Sequence, residues 1–266
     1  MPMIISNIIA IFRKELQSYF ASPLAYLVAA VFWLLSGFFF VVILLSPEGL
    51  IRDVAAREQM GYPLPPIDVA YVLLREFLGL MGSLVLFILP MLSMGLYAEE
   101  RKRGTLELLA TSPITNWVVA LGKLLGVVTF FTVMIFPLLI YEAIAFNAAN
   151  PPIQPQVPLL AHAGLILLAA AILSLGMFVS SLTDSSILAA ILTFAMVLFL
   201  WIIDLIADNI GGPVGEALSH LSLLEHYNNL VQGILDVSSI VVFVSYIILG
   251  LFLTAQSIEA LRFQRS

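Results

Sequence analysis

Long apolar runs separated by short polar breaks dominate the chain. Six of them, 24–45, 77–98, 117–141, 159–183, 185–203 and 237–258, are each long enough to cross a bilayer. A helix needs roughly 20 residues to span about 30 Å of hydrocarbon. Continuous runs of this length predict helices, because barrel strands would be about ten residues long and alternate in polarity. The third run contains Lys123 and the fourth His162; the other four carry no Asp, Glu, Lys, Arg or His. Only "TDS" separates the fourth from the fifth, which predicts a tight hairpin.

The segments between these runs have patterns of their own. In residues 4–20, Ile5, Ile8, Ile9, Phe12, Leu16, Tyr19 and Phe20 recur at helical spacing, with Asn7, Arg13, Lys14, Gln17 and Ser18 off that stripe. This predicts an amphipathic helix lying in the membrane interface and ended by Ser22 and Pro23. The segment 46–76 contains "GYPLPPID", a Pro-rich stretch that continues no helix. The segment 207–236 is mildly apolar and broken by "GGP", so short helices dipping partly into the outer leaflet are expected there. The chain contains no internal repeat, low-complexity tract or separate soluble domain.

Composition agrees with the pattern. Apolar residues make up 61% of the 266 positions, and the mean hydropathy is +1.08; soluble domains hold roughly 45–50%. An all-α integral membrane protein is predicted. With no cysteine, thiolate metal sites, disulfides and Cys nucleophiles are excluded. The net charge of −6 is spread along the chain, which argues against nucleic acid as a partner. The start reaches charge after a short apolar run and has no small-residue cleavage site, so a cleavable signal peptide is not expected. Orientation follows Lys and Arg. One side would hold Arg13, Lys14, Arg101, Lys102, Arg103, Arg262 and Arg265; the other only Arg52, Arg57 and Arg75, diluted by five carboxylates. This bias predicts both termini on the cytoplasmic side.

The chemistry concentrates in "YAEERKRGTLELLATSPITNWVVALGKLLG", 97–126, between the second and third runs. Five consecutive charged residues, 99–103, open it. Gly104 can release the preceding helix, and 105–110 can make about one and a half turns. Ser112 and Pro113 then read as N-cap and first helical position of the third span. A positive-inside anchor would explain the arginines. It would not explain Leu106, Leu108 and Leu109 around Glu107, which are expected to be an exposed docking surface.

This stretch resembles the first cytoplasmic loop of ABC-2 type transporter permeases. There an acidic-basic run is followed by Gly-Thr-Leu-Glu, a Ser/Thr-Pro and a Gly-Lys; the match covers Glu99, Glu100, Gly104, Thr105, Leu106, Glu107, Ser112, Pro113, Gly122 and Lys123. "FRKELQSYFASPLAYL" is similar to the interfacial helix of these permeases, and "SSLTDSSILAAILTFAMVLFLW" to their fourth-to-fifth hairpin. The closing segment from "LLEHYNNL" onward resembles the branch of gliding-motility and nitrous-oxide-reductase maturation permeases.

The resemblance implies a multi-pass subunit of a bacterial inner membrane, an exporter acting as a dimer with itself or a related permease. Each half would dock a cytoplasmic ATPase subunit, which would hold ATP and Mg. Arg13, Glu15, Glu99, Glu100, Arg101, Gly104, Thr105, Leu106, Glu107, Leu109, Ser112 and Pro113 would form the coupling surface. The expected division is an interfacial helix at 1–23, a permease domain at 24–260 and a cytoplasmic tail at 261–266. The chain itself has no G-x-x-x-x-G-K-[ST] phosphate cradle, since "GKLLG" lacks the glycine spacing and the Ser/Thr.

The other polar residues carry milder expectations. Lys123 would snorkel to the inner interface. Glu142, Asp204 and His162 fall near outer ends, where water is close. His220 and His226, beside Glu225, do not have zinc-like spacing and read as structural. Gly122-x-x-x-Gly126 and Gly176-x-x-x-Ser180 permit close helix packing, within one subunit or across a dimer. An ion-coupled secondary carrier and a non-transporting membrane anchor or assembly factor remain open as other readings.

Overall fold

A computed structural model describes residues 2–59, 68–106, 114–149, 153–210 and 212–263. It is all-helical, with no strand among the described residues. The helices are α1 (Pro2–Ala21), α2 (Pro23–Leu45), α3 (Leu50–Gln59), α4 (Val69–Ser93), α5 (Gly95–Lys102) and α6 (Asn116–Asn147). After them come α7 (Gln156–Leu182), α8 (Ser186–Ile210), α9 (Gly212–Ser219), α10 (Leu223–Val231) and α11 (Val237–Phe263). Among the described residues, six stretches are long and apolar enough to cross a membrane: those built on α2, α4 with α5, α6, α7, most of α8, and α11.

Helix starts are set by local chemistry. Ser22 caps α2 by accepting from the Ala25 N–H, with Pro23 in the first turn where its missing N–H costs nothing. Asp68 does the same for α4 through the Tyr71 N–H at 3.0 Å. The second span therefore begins at Val69, two turns before the expected start at Phe77: Asp68 caps it, and Ala70, Leu73 and Leu74 already carry its buried face. Segment 46–76 also holds the helix α3, closed on itself by an Arg57–Asp53 pair at 3.1 Å. The third span starts at Asn116 after an extended Thr115, whose carbonyl accepts from the Val118 and Val119 N–H groups. That start is three residues later than Pro113; Ser112 and Pro113 themselves lie outside the described residues.

The helix α7 is the axis of the bundle. Of its most apolar stretch 78% is buried, against 17% for α8, so α7 packs on protein and α8 leaves most of its surface outside the bundle. Small residues allow this, with Ala161, Gly164, Ala169, Ala171 and Gly176 all buried along α7. The expected short helices of the fifth-to-sixth connection are α9 and α10. Tyr227 of α10 is fully buried and donates to the Leu78 carbonyl of α4 at 2.6 Å, seating α10 in the bundle. His226 is structural as well: its Nε2 donates to the His220 carbonyl at 3.2 Å, leaving Nδ1 to accept from Ser239 of α11 at 3.0 Å.

Candidate functional site

The helix α1 packs along the first half of α6, and two glycines make that possible. A Cβ at Gly122 would stand 2.8 Å from Ile11, and one at Gly126 would stand 2.7 Å from the Cβ of Glu15. The Gly122–Gly126 pair therefore serves packing inside one chain, with the interfacial helix as its partner. Ile11, Leu16 and Tyr19 face the core, and the Tyr19 ring stacks on Phe130 at 5.1 Å. Ile5, Ile9 and Phe20 stay exposed on the next flank, where an interfacial helix meets lipid. Burial and the neighbouring Glu15 and Glu99 carboxylates hold the Tyr19 phenol well above its ordinary pKa. It thus remains a donor, to the Leu92 carbonyl.

Glu15 projects from the buried face of α1, and Lys123 lies between the two glycines of α6. The Lys123 ammonium is 3.1 Å from Glu15 Oε2, 3.1 Å from Glu100 Oε1 and 2.8 Å from the Leu96 carbonyl. An ammonium has three N–H donors, and all three are used. The Tyr97 ring stands 5.0 Å away and adds a cation–π contact. Lys123 is only 3% exposed, so it does not snorkel. Two carboxylates and a carbonyl replace the water it would otherwise seek. Lys14, from the exposed side, reaches Glu100 at 3.4 Å.

The lower part of the second span is a separate piece. Pro90 removes one N–H from α4, and α5 begins after Met94. Ser180 of α7 inserts its hydroxyl into the ladder: it accepts from the Tyr97 and Ala98 N–H groups at 3.1 and 3.0 Å and donates to the Met94 carbonyl at 2.7 Å. A side chain in the ladder bends a helix. Arg101 donates to the Ser181 carbonyl at 2.8 Å, holding α5 to the end of α7. The Gly176–Ser180 pair is thus internal too, since Gly176 lies against Ser93. Gly104 ends α5 at φ +70°, a left-handed conformation that favours glycine.

Of the twelve expected coupling residues, Glu15, Glu100 and Arg101 come together around this junction. Glu99 is exposed and pairs with Arg103 at 3.4 Å; Thr105 bonds back to the Glu100 carbonyl at 3.2 Å. Arg13 is exposed on the polar face of α1, away from the node. Leu106 corrects the expectation of an exposed docking leucine. It is 3% exposed and belongs to the hydrophobic core, because the turn at Gly104 folds the chain inward there. Glu107, Leu109, Ser112 and Pro113 lie outside the described residues, as does most of the 105–110 turn. A cleft of about 360 Å³ opens beside the node, lined by Lys14, Glu15, Glu99, Glu100, Arg103 and Thr105 among others.

A family model described as ABC-2 family transporter protein matches residues 9–266, almost the whole chain. The chain belongs to the ABC-2 transporter family. It is a multi-pass membrane protein of that family, and the six spans and most of the helix α1 belong to one continuous match. No curated protein matches the chain.

Lys123 is the central group of this ABC-2 site, yet in the sequence it reads as a snorkelling lysine, and Ser180 as a small packing residue. A signal was present: Glu15 falls inside the apolar arc of α1, between Ile8 or Ile11 and Tyr19. A carboxylate on a buried face needs a cation, and Lys123 was the one lysine within a predicted span.

Proposed function

We propose that this ABC-2 chain is the membrane subunit of an ATP-driven exporter, docked by a separate ATPase chain on the face formed by α1 and the strip 99–113. ATP and Mg belong to that partner. The observation that carries the reading is the Lys123 node. One buried ammonium joins the interfacial helix, the piece α5 and the third span, so a displacement of the strip cannot remain local. When the ATPase pair closes on ATP, it shifts the strip, and α5 turns about Met94. Lys123 carries the movement to α6 and α1, while Ser180 and Arg101 carry it to α7. The exposed Glu99–Arg103 pair and Lys14 give the cleft a charged rim of both signs, suited to steering a partner into register.

Two such chains, or one with a related permease, complete the transporter in this reading. The Lys and Arg excess puts both termini and the strip in the cytoplasm, at a bacterial inner membrane. The division into 1–23, 24–260 and 261–266 is part of the same proposal. Placement in the gliding-motility and nitrous-oxide-reductase maturation branch, and export as the direction, rest on resemblance alone.

Burial of Leu106 refines the test. Leu109→Ala and Glu107→Lys should weaken recovery of a Walker-type ATPase from membranes while the permease stays at normal level. Undiminished recovery with both variants would overturn the assignment of the strip.

A further inference from the structure

Two buried ionisable groups that docking does not use, Glu142 and His162, lie at the far end of the bundle. Lys123 and Glu142 stand on the same helix, 19 residues apart, which is about 28 Å along its axis. Glu142 is five residues inside the end of α6, and His162 of α7 is six residues inside its start, so each lies about 8–9 Å within its helix. Neither is near water, contrary to the sequence expectation. Their side chains are 2% and 7% exposed, because α6, α7 and the seated helix α10 close over them.

The pair is short of donors. His162 Nδ1 is 2.9 Å from the Pro158 carbonyl, which can only accept, so Nδ1 carries the hydrogen and Nε2 is left with a lone pair. Glu142 Oε2 is 3.8 Å from that same Nδ1, beyond hydrogen-bond range. Both Glu142 oxygens and His162 Nε2 are buried with no hydrogen-bond partner among the described residues. Among the described residues, the neighbouring helices bring no charged side chain to pair with them. Tyr227 of α10 spends its one hydrogen on the Leu78 carbonyl. On α2, Gly37 and Phe40 lie against Tyr141, the residue before Glu142, and Ser36 donates to the Trp33 carbonyl of its own helix. Arg75 and Glu76 of α4 are exposed and bonded to each other at 2.7 Å. No ionisable side chain of the described part of α11 is paired with Glu142.

Three buried acceptors without a donor, two of them on one carboxyl, call for a proton or a bound cation. An ionisable group within a spanning bundle marks an ion site by default. A divalent metal would want three or more protein ligands, and no such group of His, Asp or Glu exists among the described residues. We propose that Glu142 and His162 form a monovalent-cation site, for a proton or for sodium, at the end of the bundle covered by α10. This site is independent of the docking face and would add an ion dependence to an ATP-driven cycle.

Two readings on the purified full chain test it. The first is the carboxyl-carbon resonance of ¹³C-labelled glutamate, with Glu142 assigned as the signal lost in Glu142→Gln. The second is the unfolding temperature in NaCl against KCl at equal ionic strength. A proton site gives a Glu142 resonance with the protonated-acid shift at neutral pH and no sodium effect. A sodium site gives a rise in unfolding temperature with sodium that disappears in Glu142→Gln. Glu142→Asp keeps the charge and should alter whichever response is found. An ionised-carboxylate shift at neutral pH, together with the same salt response in wild type and Glu142→Gln, would overturn the proposal.

Discussion

Replacing Lys123 by Met removes the ammonium and keeps an unbranched stem of similar length. The Glu15 and Glu100 side chains are 12% and 15% exposed, so water in the adjoining cleft can rehydrate them only in part. Removing one partner from a buried pair costs about 3–5 kcal/mol, and the lost bond to the Leu96 carbonyl adds about 1 kcal/mol. Lys14 offsets little, since its side chain is 71% exposed and its link to Glu100 is screened. A loss of this size lowers the Tm by on the order of 10 °C for a chain of this length. The carboxylates are not equivalent to the lysine. With two of them to one buried ammonium, Glu100→Gln removes surplus negative charge and should cost about 1 kcal/mol or less. The triple variant Lys123→Met/Glu15→Gln/Glu100→Gln should recover most of the loss. Thermal unfolding of the purified variants in one detergent and one salt checks the set. A Lys123→Met chain within about 1 kcal/mol of wild type would refute the reasoning, as would a triple variant no more stable than the single.

Three further outcomes are expected. Gly126→Val forces α1 off α6 at a cost of about 1–3 kcal/mol, because even a Cβ there would stand 2.7 Å from Glu15; trypsin should then cut faster at Arg13 and Lys14, and unchanged cleavage would count against the packing. Ser180→Ala leaves the Tyr97 and Ala98 N–H groups without their shared acceptor and should cost about 1–3 kcal/mol; wild-type unfolding would mean that the hydroxyl does not hold the bend. A single cysteine at Asn147, in a chain that has none of its own, should react with an impermeant thiol reagent from outside only; labelling only from the cytoplasmic side would invert the topology.

The spans were legible because hydrocarbon thickness imposes a length that few other constraints mimic: each of the six runs lies on an observed span to within one residue, the second crossing the break at Met94. Boundaries were less so. At Val69 the helix begins where Asp68 caps it, and a capping carboxylate is polar, so it reads as loop. The interfacial helix was legible as a stripe, but a stripe gives one face, and α1 uses two: Ile11 and Tyr19 against protein, Ile5 and Ile9 outward. The node was hidden for a different reason. Glu15, Glu100 and Lys123 are 108 and 23 residues apart in pairs, and each looks like an ordinary interface charge until the helices are assembled. Leu106 and Glu142 were misjudged alike: closeness to a helix end does not give exposure when another segment, here the Gly104 turn or α10, closes over that end.

In the proposed assembly a separate ATPase sits on the face where α1 meets α5. A photo-crosslinking residue at Thr105, which is exposed beside the cleft, tests it most directly in native membranes. The account predicts an adduct whose partner, read by mass spectrometry, carries a G-x-x-x-x-G-K-[ST] phosphate cradle, and which is lost in Glu107→Lys. Adducts with lipid or with a second copy of this chain alone, unaffected by Glu107→Lys, would contradict it.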